Sequence, residues 1–489
     1  MTSFAQARLS PAGAGVVALA MAGALGVAVA ASPTAGLAFL AVAVLAGVVL
    51  LSLRAGLFEP WALVLVALLS ANYNVFLNAN AFIAGGADRG KLITVIATAG
   101  LALFALAQEQ RRRQRGIEFQ PALIDGLFAA ILVAASIAFA GGLRAGNPHV
   151  YLLGDYGQLL QAVIAYVAVR LFVLTEGPGG ARTFLVLLGV SWGLRAASEI
   201  LFPEARGTAV IELEGQMLFR RTDPLGPLGI PLLVALALSE RHPARATLLG
   251  GSCLLVAAQN ILGFTRAHYL ALGVSLPLLL LISLAHGEAR GRLARAAPFL
   301  GLLVIGAYAF VSPIQGTAQN AWYRFQDAFD PNTHSRLHRE AENRAVMAHI
   351  DEAAFTGHGL GAEYVGVDPY TLRPTVVHFV HNDYLALWLR GGVLLVGAWI
   401  AMTAYSIWSG IRRPSALGPL VAAGAAAALL AMSVTALGSG SAFGYVAGPV
   451  TALMAATATY RERPAAAAET PPDVVPSLAR HAWEVSHAS

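Results

Sequence analysis

The residues able to do chemistry in this chain are concentrated in one stretch, 313–392. Six of the twelve histidines fall there: His334, His338, His349, His358, His378 and His381. Arg324, Arg336, Arg339, Arg344 and Arg373 lie among them. Imidazole exchanges a proton near neutrality, with an unperturbed pKa of about 6.5. Guanidinium forks match phosphate oxygens. A base set among such cations suits chemistry on a phosphorylated substrate.

His381 is the strongest candidate for the base. It opens the run His-Asn-Asp-Tyr-Leu, after which the sequence turns apolar. Tyr384, Leu385 and Trp388 follow at i+3, i+4 and i+7 and share its face on a helix. That stripe fits a sugar ring or a lipid head; Trp388 by itself reads better as part of an interfacial aromatic belt. Asp383 falls on the opposite face of a regular helix, which argues against a pair with His381. His378, one turn earlier, is the substitute base. The spacings His334/His338 and His378/His381 suit zinc. The loop has no cysteine, however, and no second motif completes a tetrahedral set, so neither metal nor cofactor is expected.

Further arginines stand at the boundaries of apolar runs. Arg220 and Arg221 precede Thr-Asp-Pro-Leu-Gly-Pro, and Arg266 sits in Gly-Phe-Thr-Arg-Ala-His-Tyr. They are read as a clamp on a lipid diphosphate; the alternative is snorkelling or a pair with Asp223. Arg195 and Glu199, four apart inside an apolar run, are expected to neutralise each other as a structural pair. Asn332–Ser335 reads as a helix start, with a helix over 336–353 carrying Leu337, Ala341, Arg344/Ala345 and Ala348 down one side. The turn Gly357-His358-Gly359-Leu360-Gly361 should end it; glycines at alternate positions let a backbone approach a ligand closely, as any tight turn also requires.

The elements that must position these groups are transmembrane. The chain has 489 residues, 57% hydrophobic and 12% charged, with a mean hydropathy of +0.65. Soluble domains carry about a quarter charged residues, which excludes that class. Of 32 basic residues only Lys91 is lysine, and the lone cysteine, Cys253, rules out an internal disulfide. The basic balance needs no nucleic acid, because basic loops belong at the cytoplasmic face of a polytopic protein. A spanning helix needs about 20 apolar residues. Fourteen runs qualify: 13–31, 35–52, 61–79, 91–107, 122–141, 157–174, 183–201, 225–239, 246–263, 267–285, 297–312, 381–408, 417–436 and 444–459. The first also fits a cleaved signal peptide.

The arginines orient the spans. Segments 108–116, 240–246, 286–296 and 409–415 fall inside, and 80–90, 142–156, 202–224, 264–266, 313–380 and 437–443 outside. The chain then divides into a bundle over 1–312, an external catalytic loop over 313–380, a second bundle over 381–460 and a disordered cytoplasmic tail over 461–489. Outside a bacterial inner membrane there is no ATP, so a transferase there needs a donor already activated in the lipid. No Walker loop, dinucleotide fingerprint or HExxH is present.

His381–Leu385 followed by Gly391-Gly392 resembles the signature of the O-antigen ligase and O-antigen polymerase superfamily, bacterial inner-membrane glycosyltransferases. Ser335-Arg336 with the turn at 357–361 resembles the region before that signature. Thr265-Arg266 resembles the family's Ser/Thr-Arg element, and Arg221 its other arginine before a Gly/Pro turn. The resemblance covers 215–400 in detail. Two features depart from it: no aromatic residue follows soon after the loop arginine, and Gly391-Gly392 is followed by Gly397 rather than by a close Gly-x-x-Gly.

The resemblance implies an all-α polytopic protein of about fourteen spans, with the C-type membrane glycosyltransferase fold and short helices in one long external loop. It implies a multi-pass protein of the bacterial inner membrane with its active site facing the periplasm or exterior. The donor would be a glycan on undecaprenyl diphosphate. The acceptor would be a sugar hydroxyl on lipid A-core, on another lipid-linked glycan or on a protein, with membrane lipid around and no nucleic acid or metal involved. Arg221 and Arg266 would hold the diphosphate and stabilise its leaving charge, and His381 would take the acceptor proton. Arg220, Arg336, Asn382, Tyr384 and His378 would bind substrate. Fourteen spans and so long a loop lean toward polymerase over ligase. A transporter or flippase of lipid-linked glycans is the alternative, although transporters keep their charges near the midplane.

Overall fold

A computed structural model describes residues 61–66, 87–201, 209–213, 216–220, 225–262, 266–285, 291, 334–367, 374–412, 415–438 and 447–461. They are mostly helical. In chain order the helices are α1 (Ala87–Gln114), α2 (Leu123–Ala145), α3 (His149–Leu201), α4 (Leu225–Ser239), α5 (Pro243–Leu262) and α6 (Arg266–Ala285). They continue as α7 (His334–Glu352), α8 (Asp383–Arg412), α9 (Pro419–Ala436) and α10 (Ala447–Thr459). Five helical segments are long and apolar enough to cross a membrane: Leu123–Ala145, His149–Ala197, Ala267–Ala285, Asp383–Arg412 and Pro419–Ala436.

Two of the expected spans, 157–174 and 183–201, belong to one helical segment, α3, of 53 residues. Straight, it would be roughly 80 Å long, far beyond a bilayer's apolar core of about 30 Å. It breaks at Gly177 (φ 70°, ψ −172°), followed by Pro178. Only glycine adopts that conformation freely, and the proline cannot donate back into the preceding turn. The expected spans 13–31, 35–52 and 297–312 lie outside the described residues, as does most of 61–79.

At the centre stands α9. It is buried on every face from Leu420 to Leu429, and beyond that only Leu430, Ser433 and Val434 are half-buried before Leu437. It packs on α4, α6, α8 and α10. Small residues let helix backbones approach, which drives association where lipid offers no hydrophobic gain. Ala425 to Ala428 are all fully buried. Gly424 is so tight against α4 that a Cβ there would lie 2.3 Å from that of Ala235.

Side-chain contacts sort the helix ends into two groups. At one end Arg111 pairs with Glu176 at 2.7 Å, Arg170 with Asp125 at 3.3 Å and Arg182 with Glu240 at 3.6 Å. At the other end α2 and the start of α3 meet residues 358–378. We refer to these as the arginine end and the histidine end.

Two antiparallel hairpins, which the all-α expectation does not include, lie in segments expected outside the membrane. Strand β1 (Ala209–Leu213) pairs with β2 (Gln216–Arg220), and β3 (Tyr364–Val367) with β4 (Pro374–Val377). Helix α7 matches the expected helix over 336–353 to within two residues, but not its packed face. Leu337, Arg344 and Ala348 are exposed. The buried stripe is Glu342, Val346 and Ile350, at i, i+4 and i+8. Val346 and Ile350 pack against Tyr364, Val380, Ala386 and Leu389. The apolar count favoured the alanines, whereas β-branched bulk selected the face.

Candidate functional site

The site is built where the segment 357–361 lies across the bundle. Gly357, Gly359 and Gly361 have φ of 65°, 85° and 77°, the left-handed region. A Cβ on Gly359 would stand 2.4 Å from the Gly142 Cα, and one on Gly357 would stand 2.6 Å from the Gly392 nitrogen. The close approach expected of these glycines is therefore to the chain's own backbone. Asn147 Nδ2 donates to the carbonyls of His358 and Leu360 at 3.0 and 2.9 Å. The Leu360 N–H reaches the Ala138 carbonyl and the His358 N–H that of Leu389, at 2.9 and 2.7 Å. Gly392 has the same function on α8. It breaks the helix with φ 64°, and a Cβ there would strike the Phe355 carbonyl oxygen at 2.0 Å.

This turn sets a buried polar knot. Asp155 of α3, 6% exposed, accepts the Gly361 N–H at 2.8 Å and pairs with Arg390 Nε at 3.1 Å. Arg390 Nη2 also reaches the His378 carbonyl at 2.9 Å and His378 Nε2 at 3.1 Å. His378 Nδ1 faces the Ala362 carbonyl at 3.2 Å. A carbonyl only accepts, so Nδ1 donates there, and Nε2 lies between the Arg390 guanidinium and Asp155 Oδ1, 3.4 Å away. The ring stacks on Tyr151 with centroids 4.1 Å apart. Both His378 nitrogens are thus engaged, and its ring is a strut rather than a spare base. Beside the knot is a cavity of about 290 Å³, bordered by Asp155, Gln158, His378, Phe379, Asp383 and Arg390.

His381 has a different environment. Its Nδ1 lies 2.7 Å from Glu342 Oε2, and its backbone N–H donates to Glu342 Oε1 at 2.8 Å. Tyr364 donates its hydroxyl to the same Oε1 at 3.3 Å and to the Phe379 carbonyl at 3.1 Å. Burial alone would push the Glu342 carboxyl up. The hydrogen bonds and charge of His381, with the Tyr364 hydroxyl, outweigh it and hold the group below the usual glutamate range. Burial, and then Glu342, push the Tyr364 phenol up. An ionised carboxylate only accepts, so Nδ1 of His381 carries a proton, and in the neutral ring Nε2 presents a lone pair. No hydrogen bond to that Nε2 occurs among the described residues. The His381 side chain is 34% exposed and that of Glu342 is 5% exposed. A buried acid thus orients a half-exposed imidazole, an arrangement that can abstract a proton.

Of the other residues expected to bind substrate, Asn382 caps α8: its Oδ1 accepts the N–H groups of Tyr384 and Leu385 at 3.1 and 3.2 Å. Tyr384 points its hydroxyl at the Ser433 carbonyl, 3.4 Å away. Trp388 donates its indole N–H to the Ala354 carbonyl at 2.8 Å, holding the loop rather than a lipid interface. Arg266 opens α6, Arg336 lies in the first turn of α7 and Arg220 ends β2. Arg221 lies outside the described residues. The start of α6 does come near α7: a Cβ on Gly438 would lie 3.3 Å from Arg339 Nη1 and 4.0 Å from the Ala267 Cβ. Arg195 and Glu199 form the expected structural pair at 2.9 Å, and Gln259 donates to the same carboxylate.

Sequence reasoning missed Glu342, Asp155 and Arg390. Glu342 had a signal, since it is four residues before Val346 and eight before Ile350. Asp155 and Arg390 had a weaker one, as charges near the ends of apolar runs. No family model matches this chain, and no curated protein matches it.

Proposed function

We propose that this is a membrane glycosyltransferase working on the outer face of a bacterial inner membrane. It moves a glycan from undecaprenyl diphosphate to a sugar hydroxyl, as an O-antigen or exopolysaccharide polymerase or as an O-antigen ligase. The observation that carries the reading is the His381–Glu342 dyad, standing at one end of an apolar helical bundle with Nε2 open. Within it, the acceptor hydroxyl gives its proton to His381 Nε2 as its oxygen bonds to the anomeric carbon. The bond from that carbon to the diphosphate oxygen breaks, and the lipid diphosphate leaves with the electron pair. Glu342 stabilises the imidazolium that forms. The diphosphate is already a good leaving group and needs charge stabilisation, the part assigned to Arg221 and Arg266. Sugar hydroxyls are poor nucleophiles, so base assistance is worth about 10²–10⁴-fold.

The test is transfer by the purified chain, reconstituted with a lipid-linked glycan and an acceptor glycan. His381→Ala should lose about 10²–10⁴-fold in turnover, while donor binding, measured separately, survives. Near wild-type turnover in that variant would remove His381 from the mechanism.

A further inference from the structure

The proposed mechanism leaves His338 unused, although it stands against the dyad. It lies one turn before Glu342 on α7, and its ring is perpendicular to that of His381, with centroids 6.1 Å apart. One ligand atom from each of His338, Glu342 and His381 falls within 4.8 Å of the others. No hydrogen bond to the His338 ring occurs among the described residues. Two imidazoles and a carboxylate are a zinc donor set that leaves a fourth position for water. The ligand atoms of a tetrahedral zinc are about 3.4 Å apart, so the three residues close by side-chain rotation of roughly an ångström. The surroundings also suit a metal. Glu342 Oε1 is held by the His381 N–H and the Tyr364 hydroxyl, while Oε2 faces the ring. That is a single-oxygen ligand whose other oxygen is fixed by outer hydrogen bonds, as metal carboxylates usually are.

We propose that His338, Glu342 and His381 form an inhibitory site for a divalent transition-metal ion, zinc above all. The nitrogen of His381 next to the carboxylate is Nδ1, so a metal shared with Glu342 takes the Nδ1 lone pair. The one proton of the neutral ring then moves to Nε2, the atom that must be empty to accept the acceptor's proton. Metal occupancy and base function therefore exclude each other. The effect on transfer rests on the function proposed above; the binding site itself does not.

The experiment uses the full chain in lipid nanodiscs, stripped with chelator. Cobalt(II) is titrated and followed by its visible absorption, and zinc is titrated against transfer of lipid-linked glycan. The expected result is stoichiometric cobalt binding displaced by zinc, together with zinc inhibition that chelator reverses. His338→Ala and His338→Gln should keep metal-free transfer and lose about 10–100-fold in zinc sensitivity and cobalt affinity. Absence of cobalt binding overturns the proposal. So does unchanged zinc sensitivity in both variants, or transfer that chelation abolishes and zinc restores. If no preparation transfers glycan, the enzymatic reading fails, and the cobalt titration still decides the site.

Discussion

The two ends of the bundle both carry charge, and they use it differently. At the arginine end acids meet arginines, some across helices, as in Arg111–Glu176, and some within one turn near the surface. Arg112 and Arg113 sit three and four residues after Glu109, the Arg113 side chain 75% exposed. The hydrogen bond from Arg112, opposed by burial and aided by Arg113, pulls the Glu109 carboxyl down to about 2. Such pairs hold helix ends and give the chain an electrostatic polarity. At the histidine end the acids are buried too, but their partners include a turn's backbone N–H and an imidazole. Asp155 meets Gly361 and Glu342 meets His381. Burying a carboxylate costs several kcal/mol, and the cost is recovered only with several well-placed donors.

The largest expected effect is all-or-none. In a Cys253→Ala background, cysteines at Gln114 and Phe355 should label from opposite sides of sealed spheroplasts with an impermeant thiol reagent, Phe355→Cys from outside. Labelling of both from one side breaks the contrast between the ends.

Asp155→Ala comes next. It strips Arg390 and the Gly361 N–H of their shared acceptor, a loss of about 3–5 kcal/mol for a broken buried pair. Thermal unfolding in detergent reads it, and an unchanged midpoint would show the knot to be ornamental.

The third effect separates the two buried acids. Glu342→Gln should lower transfer by up to the about 10²–10⁴-fold that general-base assistance is worth. It also has a pH signature. The folded carboxyl is held below its unfolded range, so its stabilisation is complete above the unfolded pKa and is lost as the pH falls through the folded one. The gap in stability between the parent and Glu342→Gln should therefore close in acid. A gap that stays constant down to pH 2 would contradict an ionised Glu342.

The smallest effect is at the other end. Arg113→Ala removes one exposed, salt-screened contact and should cost about 0.2–1 kcal/mol, shrinking further in high salt. A loss as large as that of Asp155→Ala would erase the distinction drawn here.

Much of this architecture is legible in the sequence. Apolar runs of spanning length locate α2, α4, α6, α8, α9 and α10 closely, because helix length and hydropathy are local quantities. His381 stood out because it stands at the mouth of such a run. What escaped was its partner, since a helix face is chosen by what packs on it. The alanines of α7 looked like the apolar stripe until Val380 and Leu389 selected Val346 and Ile350, and Glu342 with them. The role of His378 also escaped. Three residues from His381, it differs through Ala362, Asp155, Arg390 and Tyr151, contacts that no spacing records. The β3–β4 hairpin has four-residue strands, too short for periodicity to mark.

The glycine turn at 357–361 has a consequence for how the chain is made. Its anchors are Asn147 and Asp155, more than two hundred residues earlier, and Leu389 and Arg390, which come later. During synthesis the early helices enter the membrane with Asp155 still lacking its partners. The knot closes only once the chain has been translated past Arg390 and α8 has inserted. Contacts of such long sequence separation form late and slowly. The histidine end of this protein thus closes only late in synthesis. A chain truncated before α8 would insert its first helices and leave the 357–361 turn with nothing to close against.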